Sequence, residues 1–184
     1  MTDDTRQRCR WCNLSNPLYV HYHDHEWGVP VHDDHHLFEM LVLESFQAGL
    51  SWECVLNKRE AFREAFDGFD VVKVANYSTT KSEALMLDKR IIRNRLKIAA
   101  AVTNAKAFMQ IQQEFGSFDR YIWQFTSGCT LHECGKTSSA LSDAVSADLK
   151  RRGMKFVGTT IIYSYLQAIG IINSHEECCQ WHTT

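Results

Sequence analysis

Residues 37–52 have the sequence LFEMLVLESFQAGLSW, and this stretch decides the fold. A repeat of about 100° per residue places one set of side chains on a single helical face: Leu37, Met40, Leu41, Glu44 and Ala48. The helix is apolar on almost every side, so we expect it to be buried. A carboxylate in such a face is unfavourable unless it is paired, so Glu44 requires an explanation. We interpret Glu44 as facing a pocket with Trp52 at its edge; periodicity alone favours a structural glutamate that caps a loop or pairs with an arginine.

Helical patterns on both sides of this stretch predict an all-α class. The longest periodic segment is 91–115, which Gly116 ends. Shorter helices are expected over 58–66, 71–77, 78–87, 118–125 and 159–168, with another that begins at Ser138 or Ser139. No segment alternates with a period of two, and 127–137 is expected to be a loop. We predict a single domain over 1–184, with an irregular aromatic N-terminal segment (5–31), a helical body (33–173) and a C-terminal segment (174–184).

Composition narrows the functional classes. The 184 residues are 45% hydrophobic and include five tryptophans, enough for a sizeable core. A formal net charge of −2 argues against a broadly basic nucleic-acid binder but is compatible with a local basic patch. The first ten residues are polar, and no apolar run is long enough to span a bilayer. We therefore expect a cytoplasmic protein without a membrane partner.

The seven cysteines favour a metal site over disulfides. Two of them, Cys9 and Cys12, lie near the start of the chain with zinc-ligand spacing. Near its end, His175 and Cys179 are separated by one helical turn. A zinc ion shared by the two groups would join the ends of the chain and act structurally. The alternative is that the cysteines are free and buried and the histidines are solvated.

Three alternating histidines, His21, His23 and His25, permit another interpretation. They could belong to a catalytic metal site, as in a metal-dependent hydrolase. Exposed histidine triplets are also common on protein surfaces, and the absence of predicted strands disfavours the usual folds of such hydrolases.

Aromatic residues cluster around the N-terminal segment and the end of the Glu44 helix: Trp11, Tyr19, Tyr22, Trp27 and Trp52. Rings with one carboxylate make a receptor for a flat cationic ring through stacking, cation–π attraction and hydrogen bonding. Ordinary core packing is the alternative.

A tight turn, Lys155-Phe156-Val157-Gly158-Thr159, joins two predicted helices and could bind an anion through the backbone N–H groups of the second helix. Basic residues surround it, so a nucleic-acid phosphate is the obvious anion. They are Lys150, Arg151 and Arg152, with a second group at Lys89, Arg90, Arg93, Arg95 and Lys97. The alternative is a solvated helix end, where basic residues favour the helix dipole.

Seven blocks of the chain together resemble the 3-methyladenine DNA glycosylase I family, from about Arg8 to Cys179. They are Arg8-Cys9-x-Trp11, Pro17-Leu18-Tyr19, Tyr22-His23-Asp24-x-Glu26-Trp27-Gly28, Leu43-Glu44-x-x-Gln47-Ala48-Gly49-Leu50-Ser51-Trp52, Ile91-Ile92-Arg93-Asn94-Arg95, Lys155-Phe156-Val157-Gly158-Thr159-Thr160 and His175-x3-Cys179. The blocks are long, ordered and specific.

The resemblance implies a helix-hairpin-helix enzyme that hydrolyses the N-glycosidic bond of 3-methyladenine in alkylated double-stranded DNA, without an obligate protein partner. It implies that Glu44 recognises the base, more than it activates water, and that Tyr22 and Trp52 stack on it. It also implies a DNA-gripping hairpin and one structural zinc. The hairpin set is Lys155, Val157, Gly158, Thr159 and Thr160, and the zinc set is Cys9, His23, His175 and Cys179.

Some residues depart from the family pattern. Arg90 stands where glycine is expected, and Ser174 stands where aspartate is usual, so His175 is expected to lack a supporting partner. Spacing pairs Cys9 with Cys12, whereas the resemblance pairs it with His23.

A non-catalytic zinc module that binds DNA or a partner is the alternative function, and it would have no use for a carboxylate on a buried helix.

Overall fold

The computed structural model describes residues 6–182, and helices dominate them. The α-helices are α1 (Pro17–His25), α2 (Asp34–Gln47), α3 (Trp52–Leu56), α4 (Arg59–Ala65), α5 (Val71–Ala75), α6 (Thr79–Leu87), α7 (Arg95–Phe115), α8 (Phe118–Trp123), α9 (Ala140–Arg151) and α10 (Thr159–Ala168). The expected all-α class is therefore confirmed. Thr5, where the predicted N-terminal segment begins, and residues 183–184, which end the C-terminal one, lie outside the described residues.

Helix α2 forms the centre of the core. The Asp33 side chain accepts a hydrogen bond from the His36 N–H at 2.8 Å and caps the helix. Every residue from 37 to 46 is buried. Helices α7 and α10 pack against α2, and α3 follows it after a short turn. Trp52 is thus the first residue of a separate helix and not the end of α2.

Three elements, one helix and a pair of short strands, were not predicted from the sequence. The N-terminal segment contains the regular nine-residue helix α1, which begins with Pro17 after the capping residue Asn16. The expected loop 127–137 contains strand β1 (Leu131–His132), which pairs in parallel with β2 (Ile172–Asn173). Two residues are too few to produce an alternating pattern, so periodicity could not reveal these strands.

The second half of the chain forms the expected helix-hairpin-helix. Ser139 caps α9, and Gly153 adopts φ 90° at the turn after it. Helix α10 then begins at Thr159, and the capping residue before it, Gly158, supplies no side-chain hydrogen bond. The buried side chain of Asn104 on α7 holds the turn: it accepts from the Lys155 N–H at 2.8 Å and donates to the Lys155 carbonyl at 2.9 Å.

The N- and C-terminal segments meet on one side of the helical body. The Gln180 N–H donates to the Gln7 carbonyl at 2.9 Å, and the Glu176 N–H contacts Cys9 Sγ at 3.4 Å. This arrangement brings the cysteines of both ends together. Between residues 6 and 182, no helix combines the length and apolarity needed to cross a membrane.

Candidate active site

A pocket of about 300 Å³ lies beside the Glu44 position of α2. It is bounded by α1, by the start of α3, by α10 and by the segments around Gly135 and Ser174. All six residues that the sequence singled out for base binding line it, namely Trp11, Tyr19, Tyr22, Trp27, Glu44 and Trp52. The structure therefore brings together side chains from four separate parts of the chain.

The aromatic rings form two contacting groups around the pocket. Tyr22 and Trp52 are both buried, and their ring centroids are 5.1 Å apart. Trp11 contacts Tyr19 at 5.4 Å and the edge of Trp27 at 4.6 Å. Aromatic rings in a pocket wall can stack on a planar guest and bury it from water.

Glu44 is 2% exposed, and its Oε2 atom is buried without a hydrogen-bond partner among the described residues. Among residues 6–182, no arginine or lysine forms an ion pair with Glu44. Burial raises the pKa of this carboxyl well above its ordinary value of 4.5. The interpretation as a structural glutamate that caps a loop or pairs with arginine is therefore wrong, and an unpaired acceptor faces the pocket.

Two further buried polar atoms in the pocket wall lack partners among the described residues. They are the acceptor Gln47 Oε1 and the donor Trp52 Nε1. Gln47 was not proposed from the sequence as a site residue. Its position three residues after Glu44, one turn along the same helix, was the available signal.

A second cluster gathers the expected metal ligands from both ends of the chain. One ligand atom each from Cys9, His23 and Cys179 lie within 4.8 Å of one another, and all three residues are buried. No other group of three histidine, cysteine or acidic residues meets this criterion within 6–182. Cys12 is buried but lies outside the group, so the structure favours His23 over the partner that spacing alone selected.

His175, the fourth expected ligand, lies beside this group of three but is not part of it. It is 3% exposed, its ring centroid lies 5.0 Å from that of His23, and its Nε2 atom has no hydrogen-bond partner among the described residues. A buried nitrogen without a partner is unfavourable unless an ion takes that place. Two thiols and two imidazoles form a donor set typical of tetrahedral zinc.

Hydrogen bonds orient the two histidines among the expected metal ligands. His23 Nδ1 lies 2.8 Å from Asp24 Oδ1, and Arg8 donates to the same carboxylate from Nε at 2.8 Å and Nη2 at 2.7 Å. His175 Nδ1 lies 2.9 Å from Asn173 Oδ1. The expectation that Ser174 leaves His175 without a supporting partner is wrong, because Asn173 supplies one.

The three alternating histidines do not converge. His21 and His25 lie on the exposed face of α1, with ring centroids 4.8 Å apart, whereas His23 is fully buried. The metal-hydrolase interpretation therefore lacks its ligand set.

The hairpin residues fall into two groups. Lys155 and Thr160 are exposed, whereas the Val157 side chain is buried and its carbonyl accepts from Ser146 Oγ at 2.6 Å. Thr159 Oγ1 lies 2.8 Å from Ser142 Oγ. Contact between Val157 and a ligand can therefore involve only its main chain.

Several predicted basic residues are already engaged within the protein. Lys97 is buried, and its Nζ donates to the Phe46 and Ala48 carbonyls at 2.8 and 2.6 Å. Lys97 thus holds the end of α2 and does not flank the hairpin surface. Two arginines are held in ion pairs: Arg152 with Glu114 and Asp148, and Arg90 with Glu64 and Asp88.

Comparison with known proteins places this geometry in a family. The model of the methyladenine glycosylase family matches residues 11–182. DNA-3-methyladenine glycosylase 1 of Escherichia coli K12 is 48% identical over 180 residues, which cover 94% of this chain and 95% of that protein. The chain therefore has a full-length relative with a named activity.

Two solved structures share the fold. A crystal structure of 3-methyladenine DNA glycosylase I has a TM-score of 0.92 at 44% identity, covering 96% of this chain and all of that one. A single-residue variant of 3-methyladenine DNA glycosylase I, in complex with 3-methyladenine, has a TM-score of 0.89 at 35% identity, covering 92% and 94% of the two chains. The chain belongs to the methyladenine glycosylase family.

Proposed function

We propose that this protein is a DNA-3-methyladenine glycosylase that hydrolyses the N-glycosidic bond of 3-methyladenine in alkylated double-stranded DNA and so begins base excision repair. The observation that carries this proposal is the buried, unpaired carboxylate of Glu44 in the aromatic pocket. Such an arrangement suits a planar cation. Relatives named for this activity, and a related structure that holds 3-methyladenine, support it.

The reaction follows from the chemistry of the lesion. The glycosidic bond of a stacked nucleotide is inaccessible, so the damaged nucleotide must rotate out of the duplex into the pocket. An adenine methylated at N3 within DNA is cationic, and its bond to C1′ breaks with the electron pair moving to the base. Water adds to C1′ and loses a proton, which leaves free 3-methyladenine and an abasic sugar. Because the leaving group is already activated, the protein can act mainly by binding.

We assign the pocket residues accordingly. Tyr22 and Trp52 stack on the base, and Trp11, Tyr19 and Trp27 complete the wall. Glu44 accepts a hydrogen bond from the exocyclic amine and stabilises the positive charge of the bound base. This role is recognition of the base, and it accounts for a carboxylate at a position where burial disfavours one.

The hairpin binds the DNA backbone. Lys155 and Thr160 are exposed at the turn, and the N–H groups at Gly158 and Thr159 begin a helix without a side-chain cap. Phosphate groups bind at such helix starts, and Val157 contributes through its main chain.

One structural zinc bound by Cys9, His23, His175 and Cys179 is part of the proposal. The unpartnered Nε2 of His175 and the close approach of the other three ligands support it. The ion would join the two ends of the chain behind Trp11 and Trp27, whose rings contact His23 at 5.3 Å and His175 at 4.7 Å. The enzyme is expected to act in the cytoplasm without an obligate protein partner.

Release of free bases from methylated duplex DNA tests the activity. The protein should release 3-methyladenine, and Glu44→Gln should reduce the rate by at least about tenfold, because it removes the charge that the cationic base meets. Glu83→Gln, at an exposed site on α6, serves as the control. Absence of base release by the wild-type protein, or a wild-type rate in Glu44→Gln, would contradict the proposal or the role of Glu44, respectively.

A further inference from the structure

The segment between β1 and α9 forms one side of the pocket mouth and is fixed at both ends. The Leu131 N–H donates to the Ile171 carbonyl at 2.8 Å, and the Cys134 thiol donates to the His175 carbonyl at 3.0 Å. At its other end, Ser139 caps α9. Gly135 adopts φ 69° and turns the chain, so that Lys136 also lines the pocket.

Lys136 differs from the other residues of the pocket wall. Among the described residues that line the pocket, it alone carries a positive charge. Its side chain is 53% exposed, and its Nζ lies 3.4 Å from Glu133 Oε1. A half-exposed ion pair of this kind is weak, so the ammonium can exchange it for a stronger partner.

The charge of Lys136 has the wrong sign for the base. A pocket that binds a cation through Glu44 gains nothing from an ammonium group at its mouth, which would repel the guest. The group at the mouth that an ammonium does attract is the phosphate beside the extruded nucleotide. Because the net charge of the chain is −2, attraction to phosphate must come from such local cations.

We propose that Lys136 binds a backbone phosphate of the extruded nucleotide and holds it at the pocket mouth. This inference rests on the proposed function and adds a DNA contact separate from the hairpin. Lysine binds phosphate as a point charge and needs no fixed geometry, which suits an exposed side chain on a fixed segment.

The two contacts are independent because α9 separates them. Lys136 precedes the N-terminus of α9, whereas the hairpin follows its C-terminus. Twelve helical residues span about 18 Å, so the two sites contact different phosphates. Their effects on DNA binding should therefore add.

Duplex binding and free-base binding distinguish this role. Lys136→Ala should weaken binding and kcat/KM for duplex DNA on the order of threefold to tenfold and reduce the salt slope of binding by about 0.9. Lys136→Arg should retain most of the affinity for duplex DNA and most of kcat/KM, because it keeps the positive charge. Affinity for free 3-methyladenine, followed by quenching of tryptophan fluorescence, should not change, because the free base has no phosphate and is neutral, having kept the electron pair of the broken bond.

Lys73→Ala is the matched control, since Lys73 is 62% exposed and also pairs with a carboxylate three residues earlier, at 3.9 Å. It lies outside the pocket wall and should leave all these values unchanged. An equal loss in Lys73→Ala, unchanged duplex binding in Lys136→Ala, or weakened free-base binding in Lys136→Ala would each overturn the inference. Failure of the wild-type protein to release bases would overturn the proposed function instead, and the salt slope would still test Lys136.

Discussion

Glu44 shows how one residue can be unfavourable for folding and favourable for binding. An apolar residue at its position would complete the α2 surface, but the pocket would then lack an acceptor for a cationic base. Ionisation of Glu44 in the free protein is opposed by burial, and a bound cation would reverse that preference. The stability of the free protein should therefore depend on whether Glu44 is protonated.

Glu44→Gln should stabilise the free protein at neutral and alkaline pH. Because burial raises the Glu44 pKa, the folded state keeps a proton that the unfolded state loses above pH 4.5. Wild-type stability contributed by this group is greatest below pH 4.5 and falls as the pH rises towards the folded pKa. Glutamine does not titrate, and each unit of pKa shift corresponds to about 1.4 kcal/mol. Thermal melts between about pH 5 and 8 should show the advantage of the variant growing with pH.

The exposed Glu83→Gln variant controls for a general loss of negative charge. A constant difference between Glu44→Gln and the wild type across this range would show that Glu44 ionises as freely in the folded state as in the unfolded chain.

Single glycines also mark where the elements of the pocket meet. Gly170 follows α10 with φ 74°, and a Cβ atom there would lie 2.2 Å from the Val29 carbonyl carbon. Backbone bonds cross this junction, from the Gly28 N–H to the Gln167 carbonyl and from the Val31 N–H to the Ile169 carbonyl. The close approach keeps α10 against the segment that carries Trp27.

At the scale of elements, Gly170→Ala should destabilise the protein by about 3 kcal/mol or more, because it combines a positive φ with a backbone clash. Gly128→Ala separates the two effects: Gly128 has φ 79°, but a Cβ atom there would meet nothing within 4 Å, so the loss should be only about 1 kcal/mol. Urea unfolding of both variants measures the difference. Equal losses would indicate that the Gly170 junction relaxes without strain.

The hairpin depends on one side chain of a neighbouring helix. Asn104→Ala leaves the Lys155 N–H and carbonyl without their partner, and because both hydrogen bonds are only partly buried, each lost bond costs about 1 kcal/mol. DNA binding should weaken while affinity for free 3-methyladenine stays the same, since Asn104 does not line the pocket. Isothermal titration with duplex and with free base tests this, and Thr103→Ala, at a neighbouring position that is not buried, is the control. Parallel losses for both ligands would mean that the substitution disturbs the whole fold.

For the whole molecule, the features that could be predicted from the sequence are those that local patterns determine. The buried face of α2 follows from periodicity and the end of α7 from Gly116, and both are confirmed. Helix α1 was missed because its aromatic and histidine residues give no amphipathic stripe. Lys97 was assigned to the surface because its charge suggested solvent, whereas two carbonyls at the end of α2 bind it in the interior.

Long-range contacts account for the rest of the candidate site. Spacing favoured Cys9 with Cys12, because sequence proximity is visible and the approach of the two chain ends is not. The grouping of Cys9 with His23 and Cys179 depends on α1 and on the path of the C-terminal segment. Lys136 carried no local signal, since its place at the pocket follows from the β1–β2 pairing.

Removal of the proposed zinc should loosen both ends of the molecule together. Cys9 and Cys179 are 170 positions apart, so an ion between them closes a very long loop and restricts the unfolded chain. Cys9→Ser and Cys179→Ser should each lose bound zinc and lower Tm, and a strong chelator should lower the Tm of the wild type. Cys12→Ser should retain the ion, because Cys12 lies outside the ligand group.

Metal analysis and limited proteolysis measure zinc loss and the loosening of the two chain ends without an activity assay. In the zinc-free protein, cleavage should appear in both terminal segments at once, because the remaining contacts between them, such as the Gln180–Gln7 hydrogen bond and the exposed Arg10–Glu176 ion pair, are weak. The Trp11 and Trp27 rings contact His23 and His175, so tryptophan fluorescence should change on zinc loss. If Cys12→Ser loses the ion while His23→Ala keeps it, zinc binds through the short Cys9–Cys12 loop. The two ends of the chain would then be held by packing, and the aromatic wall would not depend on the metal.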